Sequence, residues 1–118
     1  MRKIFINFSN HPSNLWDEEQ KAAAQQYGEI VDYAFPEISS VSTEKEIEQK
    51  ADEISVDIIS KNPAAVMCQG EYTLCYLVIA KLIASGIKTL ASCTERVVSI
   101  EGNKKISIFR FVKFREYG

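Results

Sequence analysis

Val66-Met67-Cys68-Gln69-Gly70-Glu71-Tyr72-Thr73 is the stretch whose reading decides the fold. A short apolar run stops at Gln69-Gly70-Glu71, and a long apolar helix is expected to begin at Tyr72. An apolar run of five or six residues feeding a helix through a glycine turn is the signature of a strand-to-helix turn in an α/β protein. In open α/β sheets, ligands bind at the carboxyl ends of such strands.

Working outward, Ala64–Gln69 reads as a central strand and Tyr72–Ser85 as a helix apolar almost all round, which asks for cover on more than one side. Upstream, Thr43-x-x-Glu46 has the capping-box form and predicts a helix over 44–61, with Ile47, Ala51, Ile54, Ile58 and Ile59 at helical spacing. Glu29–Phe35 reads as a strand. Asp17–Tyr27 reads as a helix with its acids at the N-terminal end and Gly28 as its stop. Lys3–Phe8 is apolar in both parities, as in a strand covered on both faces. Downstream, Ile87–Ala91 reads as a fourth strand. The polar segment from Ser92 to Glu95 follows, then strand-like runs Arg96–Ile100 and Lys104–Tyr117 around a turn at Glu101-Gly102-Asn103.

The resulting order is β-α-β-α-β-α-β-β-β. Strands alternating with helices imply a parallel sheet with right-handed crossovers. The expected fold is therefore α/β, a three-layer Rossmann-like arrangement over residues 1–118 as one domain. Its parallel strand order is 2-1-3-4, with a C-terminal antiparallel hairpin. The topological switch then falls between the first and third strands.

Composition narrows the function classes. A chain of 118 residues with 46% hydrophobic and 25% charged residues matches an ordinary water-exposed globular protein. No signal peptide and no apolar run of membrane-spanning length is read, so a cytoplasmic protein with no membrane partner is expected. The net charge of -2 gives no global reason to bind duplex nucleic acid. The charge is uneven: from Lys104 onward there are five basic residues and one acid, while the remainder holds nine basic and fifteen acidic residues. That basic ribbon suits a phosphate or an acidic face, and equally an edge strand protected against aggregation. Cys68, Cys75 and Cys93 form no C-x-x-C pair and there is one histidine, so no metal site is expected and buried apolar packing is the default for all three. With no G-x-G-x-x-G and no Walker-type lysine loop, no dinucleotide or ATP cofactor is expected.

Three polar turns are expected to meet at the crevice. They carry Ser9, Asn10, His11 and Ser13; Gln69, Gly70, Glu71, Tyr72 and Thr73; and Ser92, Thr94, Glu95 and Arg96. Two helix N-termini there would favour an anion, which points to a phosphate-bearing ligand. His11 suits proton transfer near neutral pH, or is a surface loop residue. Glu71 suits a base or a ribose-hydroxyl acceptor, or a helix N-terminal acid. Arg96 suits phosphate, or is an exposed strand charge. Gly70 permits either a turn or a close backbone approach. The spacing around Cys93 is too short for a phosphate-cradling cysteine loop. Trp16 and Tyr27 read as packing for the first helix rather than as a base-stacking platform.

Three parts together resemble small stand-alone CRISPR-associated proteins with a CARF-like Rossmann fold, of the ring-nuclease type. These are Asn7-Phe8-Ser9-Asn10-His11-Pro12; Gln69-Gly70-Glu71-Tyr72 entering an apolar helix; and Ser92-Cys93-Thr94-Glu95-Arg96, Lys105-Ile106-Ser107-Ile108-Phe109 and Phe114-Arg115-Glu116-Tyr117. The resemblance implies a homodimer that binds a cyclic oligoadenylate second messenger across its two-fold axis. Active members cleave that ring without a metal, by attack of a ribose 2′-hydroxyl that leaves a 2′,3′-cyclic phosphate. Carried onto this chain, it would give His11 and Arg96 catalytic roles. Ser9, Asn10, Gln69, Gly70, Glu71, Thr73, Ser92 and Thr94 would be ligand contacts. A non-catalytic nucleotide-sensing or protein-interaction module on the same fold is the alternative.

Overall fold

The computed structural model describes residues 2–118. Its elements are β1 (Ile4–Ser9), a 3-10 turn (Ser13–Leu15), α1 (Glu18–Gln25), β2 (Glu29–Ala34), α2 (Glu44–Ser60), β3 (Ala65–Gln69), α3 (Tyr72–Ala84), β4 (Thr89–Glu101) and β5 (Lys104–Glu116). They build one five-stranded sheet in the order β2-β1-β3-β4-β5. The first four strands are parallel to their neighbours, and β5 runs antiparallel to β4. The mixed α/β class, the parallel order and the antiparallel C-terminal hairpin all match the sequence reading.

Every residue of β1 is buried, which is what an apolar run in both parities requires. Its alternate side chains enter two cores. Ile4, Ile6 and Phe8 pack with the inner stripes of α2 and α3, among them Ile47, Ile54, Ile58, Leu74, Val78 and Leu82. Phe5 points the other way, into a core with Trp16, Ala24, Met67 and Leu90, supported by Tyr27 and Phe114. The Phe5 ring lies 6.2 Å from Trp16, 5.9 Å from Tyr27 and 5.3 Å from Phe114, so Trp16 and Tyr27 do serve as packing beside α1. Thr43 caps α2 through Glu46 N–H at 3.1 Å, as its sequence form predicts. The helix α3 buries only Leu74, Cys75, Val78 and Leu82, while Tyr72 and Tyr76 stand 89% and 72% exposed. Its apolar sequence therefore exceeds the cover that one chain provides.

The C-terminal third departs from expectation. Ile87–Ala91 and Arg96–Ile100 are not separate strands around a polar turn. They belong to the single strand β4, so the sheet has five strands where six were expected. The polar segment from Ser92 to Glu95 is itself paired with β5, Ser92 opposite Phe114 and Glu95 opposite Arg110. It is polar because the hairpin leaves the body of the protein there: Thr89 and Leu90 are buried, and from Thr94 onward the strand is exposed. A strand wetted on both faces loses the apolar pattern by which strands are recognised. The pairing slips by one residue at Cys93/Thr94, where Val112 is the extra residue of a β-bulge. The slip turns Phe111 and Phe114, opposite in parity, toward each other, with ring centroids 4.9 Å apart. The alternation of side chains along β5 breaks at that point. Among the described residues no helix is long and apolar enough to cross a membrane.

Gly28 marks where β2 is forced against β1. A Cβ there would lie 2.5 Å from the carbonyl oxygen of Lys3, the acceptor of the first β1–β2 bond from Glu29 N–H. Backbone on both sides cannot yield without breaking the parallel pairing. Gly28→Ala is therefore expected to cost at least about 2 kcal/mol, read as a lower urea midpoint in Trp16 fluorescence. An unchanged midpoint would show that the two strands can separate freely.

Candidate functional site

The carboxyl ends of β1 and β3 lie side by side, Ser9 opposite Gln69. Polar side chains reach the surface here because the strands end and the flanking helices diverge. The turn after β1 is held by a network rooted in Asn7, which is 1% exposed inside the sheet. Asn7 Nδ2 donates to His11 O at 2.8 Å and to Asp32 Oδ1 at 3.0 Å. Ser9 Oγ donates to Asn7 Oδ1 at 2.6 Å and accepts His11 N–H at 3.1 Å. Ser13 Oγ donates to Asp32 Oδ2 at 3.1 Å. A buried amide must find partners, and Asn7 finds them in the backbone of the turn and the neighbouring strand. The result holds the His11 backbone in place while its imidazole stays exposed.

A cleft of about 400 Å³ opens beside this turn. Its lining carries Ser9, His11, Gln69, Ser92 and Thr94, so five of the residues singled out in the sequence come together. The lining also includes Trp16, Phe109 and Phe111, with Asp17 and Gln20 at the start of α1. Gln69 Oε1 accepts the N–H of Ser92, tying β3 to β4 across the cleft floor. Trp16 is 8% exposed, and its Nε1 has no hydrogen-bond partner among the described residues. A second opening of about 400 Å³ adjoins, bordered by Asn10, His11, Gln69, Gly70, Tyr72 and Tyr117. Tyr117 donates its hydroxyl to Cys68 O at 3.1 Å, and burial pushes its pKa up.

Other expected residues are placed elsewhere or are already engaged. Arg96 does not line the cleft. It lies along the exposed hairpin, where Nε and Nη2 both donate to Ser107 Oγ, at 3.2 and 2.8 Å. Glu71 caps α3, accepting Leu74 N–H at 2.8 Å and the Thr73 hydroxyl at 2.6 Å. The Thr73 hydroxyl and the Leu74 N–H hold the Glu71 carboxyl below its ordinary range. Asp17 does the same for α1, taking Gln20 N–H at 2.8 Å and, on its other oxygen, Phe111 N–H at 3.2 Å. Each helix N-terminus expected to receive an anion thus already faces a carboxylate of the chain itself. Gly70 serves a close approach, and the approaching group is Phe35: a Cβ would sit 2.5 Å from its ring.

Sequence reasoning missed Asn7, Asp17, Gln20, Asp32, Phe109 and Phe111. An asparagine inside Ile4-Phe5-Ile6-Asn7-Phe8 was a readable signal, since a polar side chain in a doubly covered strand needs partners. Nothing local marks Phe111, whose direction is set by the bulge. Among the described residues no cluster of three or more His, Cys, Asp or Glu side chains could hold a metal ion.

Glu71→Ala is expected to lower stability by about 1 kcal/mol through loss of the cap. Because the fold lowers the Glu71 pKa, its contribution is complete above the unfolded carboxylate range and is lost as pH falls through the folded value. The stability gap between wild type and Glu71→Gln should therefore narrow on acidification. A gap that persists or widens in acid would overturn the capping role.

No curated protein and no solved structure matches this chain. A family model described as "Uncharacterized protein MJ1673 family" matches residues 3–115, nearly the whole length. The chain belongs to the uncharacterized protein MJ1673 family.

Proposed function

We propose that this chain is a Rossmann-like, CARF-like nucleotide-binding protein. Its ligand in this reading is a cyclic oligoadenylate of type III CRISPR antiviral signalling, which it cleaves without a metal as a cytoplasmic homodimer. The observation that carries the reading is the cleft at the β1–β3 switch, lined by hydroxyl, amide and imidazole groups together with the exposed ring of Phe109. Of these rings Phe109 is exposed, at 69%, and suits one adenine base, where stacking contributes about 1–3 kcal/mol. The hydroxyls and amides suit ribose and phosphate oxygens.

Cleavage would form a bond from a ribose O2′ to the adjacent phosphorus and break the bond to O5′. The products are a 2′,3′-cyclic phosphate and a 5′-hydroxyl. In this reading His11, exposed at the cleft edge, would protonate the departing O5′. Arg96 would take part only by reaching the cleft of a second copy, since within one chain it lies on the hairpin. Val97, Val98, Ile100, Ile108 and Phe109 on that hairpin are between 40% and 76% exposed, which supports burial against a second copy.

A second reading, a sensor without turnover, is favoured by the two capping carboxylates. Asp17 and Glu71 leave the cleft of one chain without a free helix N-terminus to stabilise charge on phosphorus.

The test is incubation with radiolabelled cyclic tri-, tetra- and hexa-adenylate in chelator. Linear product ending in a cyclic phosphate is expected, with His11→Ala slowed about 100-fold or more. Mixing inactive His11→Ala and Arg96→Ala chains should restore part of the activity if Arg96 acts across the dimer. Binding without turnover selects the sensor, and absence of both overturns both readings. Light scattering is expected to give the mass of a dimer, reduced by Ile108→Glu or Phe109→Glu. A monomeric wild type would remove the role of the second copy.

A further inference from the structure

Cys68 and Cys75 lie on either side of the turn that enters α3, in no role that ligand binding uses. Cys68 is the penultimate residue of β3, and Cys75 sits in the first turn of α3. The turn at Gln69-Gly70-Glu71 folds the helix back over the strand, and the two Sγ atoms come within 3.8 Å. Both thiols are free. A disulfide needs its sulfurs at about 2.05 Å, so closure asks the two sulfurs to approach by about 2 Å. The pair is asymmetric. Cys68 has no exposure and Cys75 keeps 7%, and both border the opening shared with His11, Gly70 and Tyr117. Cys93 lies on β4.

We propose that Cys68 and Cys75 form a reactive dithiol that takes a small hydroperoxide and closes into a disulfide across the β3–α3 turn. Cys75 Sγ attacks the peroxide oxygen, the O–O bond breaks, and Cys75 becomes a sulfenic acid as alkoxide or hydroxide leaves and is protonated. Cys68 Sγ then attacks Cys75 Sγ. The S–S bond forms, hydroxide departs and takes the Cys68 proton, and water is released. With hydrogen peroxide the balance is one dithiol and one peroxide giving one disulfide and two waters. The hydrogen bond from the Cys68 thiol holds Cys75 below its ordinary pKa against the opposing effect of burial, and raises Cys68 in turn. Cys75, the less covered of the two buried thiols, is thus the nucleophile and Cys68 resolves it. The bond would fix Gln69-Gly70-Glu71 between its anchors, and with it one wall of the cleft. This inference stands on the two thiols alone, independent of the cyclic-nucleotide reading.

The test uses the folded full chain carrying Cys93→Ser, which leaves the pair intact. After hydrogen peroxide, the intact mass should fall by two hydrogens. Both thiols should disappear from a count made under denaturant and return with reductant. Proteolysis after Glu71 should leave two fragments joined until reduction. Adding Cys68→Ser should stop the reaction at a Cys75 sulfenic acid that a cyclic 1,3-diketone captures. A Cys75 sulfinic acid beside a free Cys68 would overturn the proposal. So would two thiols still reduced at a dose that oxidises Cys93 in the wild-type chain.

Discussion

Phe5, Ile6, Asn7 and Phe8 have almost no accessible surface, and the structure follows from the need to cover that strand on both faces. A strand at the sheet interior has its backbone groups paired on both edges, here with β2 and β3. Its side chains then need apolar partners on each face: Ile4, Ile6 and Phe8 pack with residues of α2 and α3, and Phe5 with Trp16, Ala24, Met67 and Leu90. Fully burying a residue such as Phe contributes about 1.5–3 kcal/mol, so few other contacts compete with these for control of the topology. Parallel neighbours require crossovers, and crossovers place the helices where the cover is needed. The carboxyl end of β1 is where this cover stops, and that is where the polar turn and the cleft arise.

Asn7 shows how the same constraint shapes the candidate site. It occupies the face that also carries Phe5, yet lies beyond the apolar cluster, near the strand end. An unsatisfied buried amide would cost about 1–3 kcal/mol, so its partners in His11 O, Ser9 and Asp32 are required by the fold. The position of the His11 backbone is thus a consequence of core chemistry. The imidazole is displayed at the cleft because the chain segment bearing it is anchored from beneath.

The parallel part of the sheet was legible because its periodicities were strong. Lys3–Phe8, the isoleucine stripe of α2 and the Gln69-Gly70-Glu71 turn each gave one reading, and their spacing gave the strand order. The hairpin was not legible in the same way. Ser92, Cys93 and Thr94 are polar because the paired strands there have left the core, and polarity in a window of four residues reads as a turn. The bulge at Val112 is equally invisible, since a slip in register is a property of two strands together. Within the candidate site, Ser9, His11, Gln69, Ser92 and Thr94 were found because strand ends converge at the topological switch. Arg96 was associated with them only while Ser92–Glu95 was taken for a turn. Once that segment is strand, Arg96 is carried out along the hairpin with its side chain on Ser107.

Asp17 connects these two halves. One oxygen caps α1 and the other takes the N–H of Phe111, beside the bulged Val112. The bulge leaves a backbone donor that the ladder does not use, and a carboxylate at a helix N-terminus satisfies it while interacting favourably with the helix dipole. The same contact holds the Phe111 ring against Phe114, and so sets the aromatic part of the cleft lining. A device that fixes the hairpin thereby removes the nearest helix N-terminus as an anion site. Among the described residues lining this cleft there is no lysine or arginine, so a phosphate held there would meet hydroxyl, amide and imidazole groups.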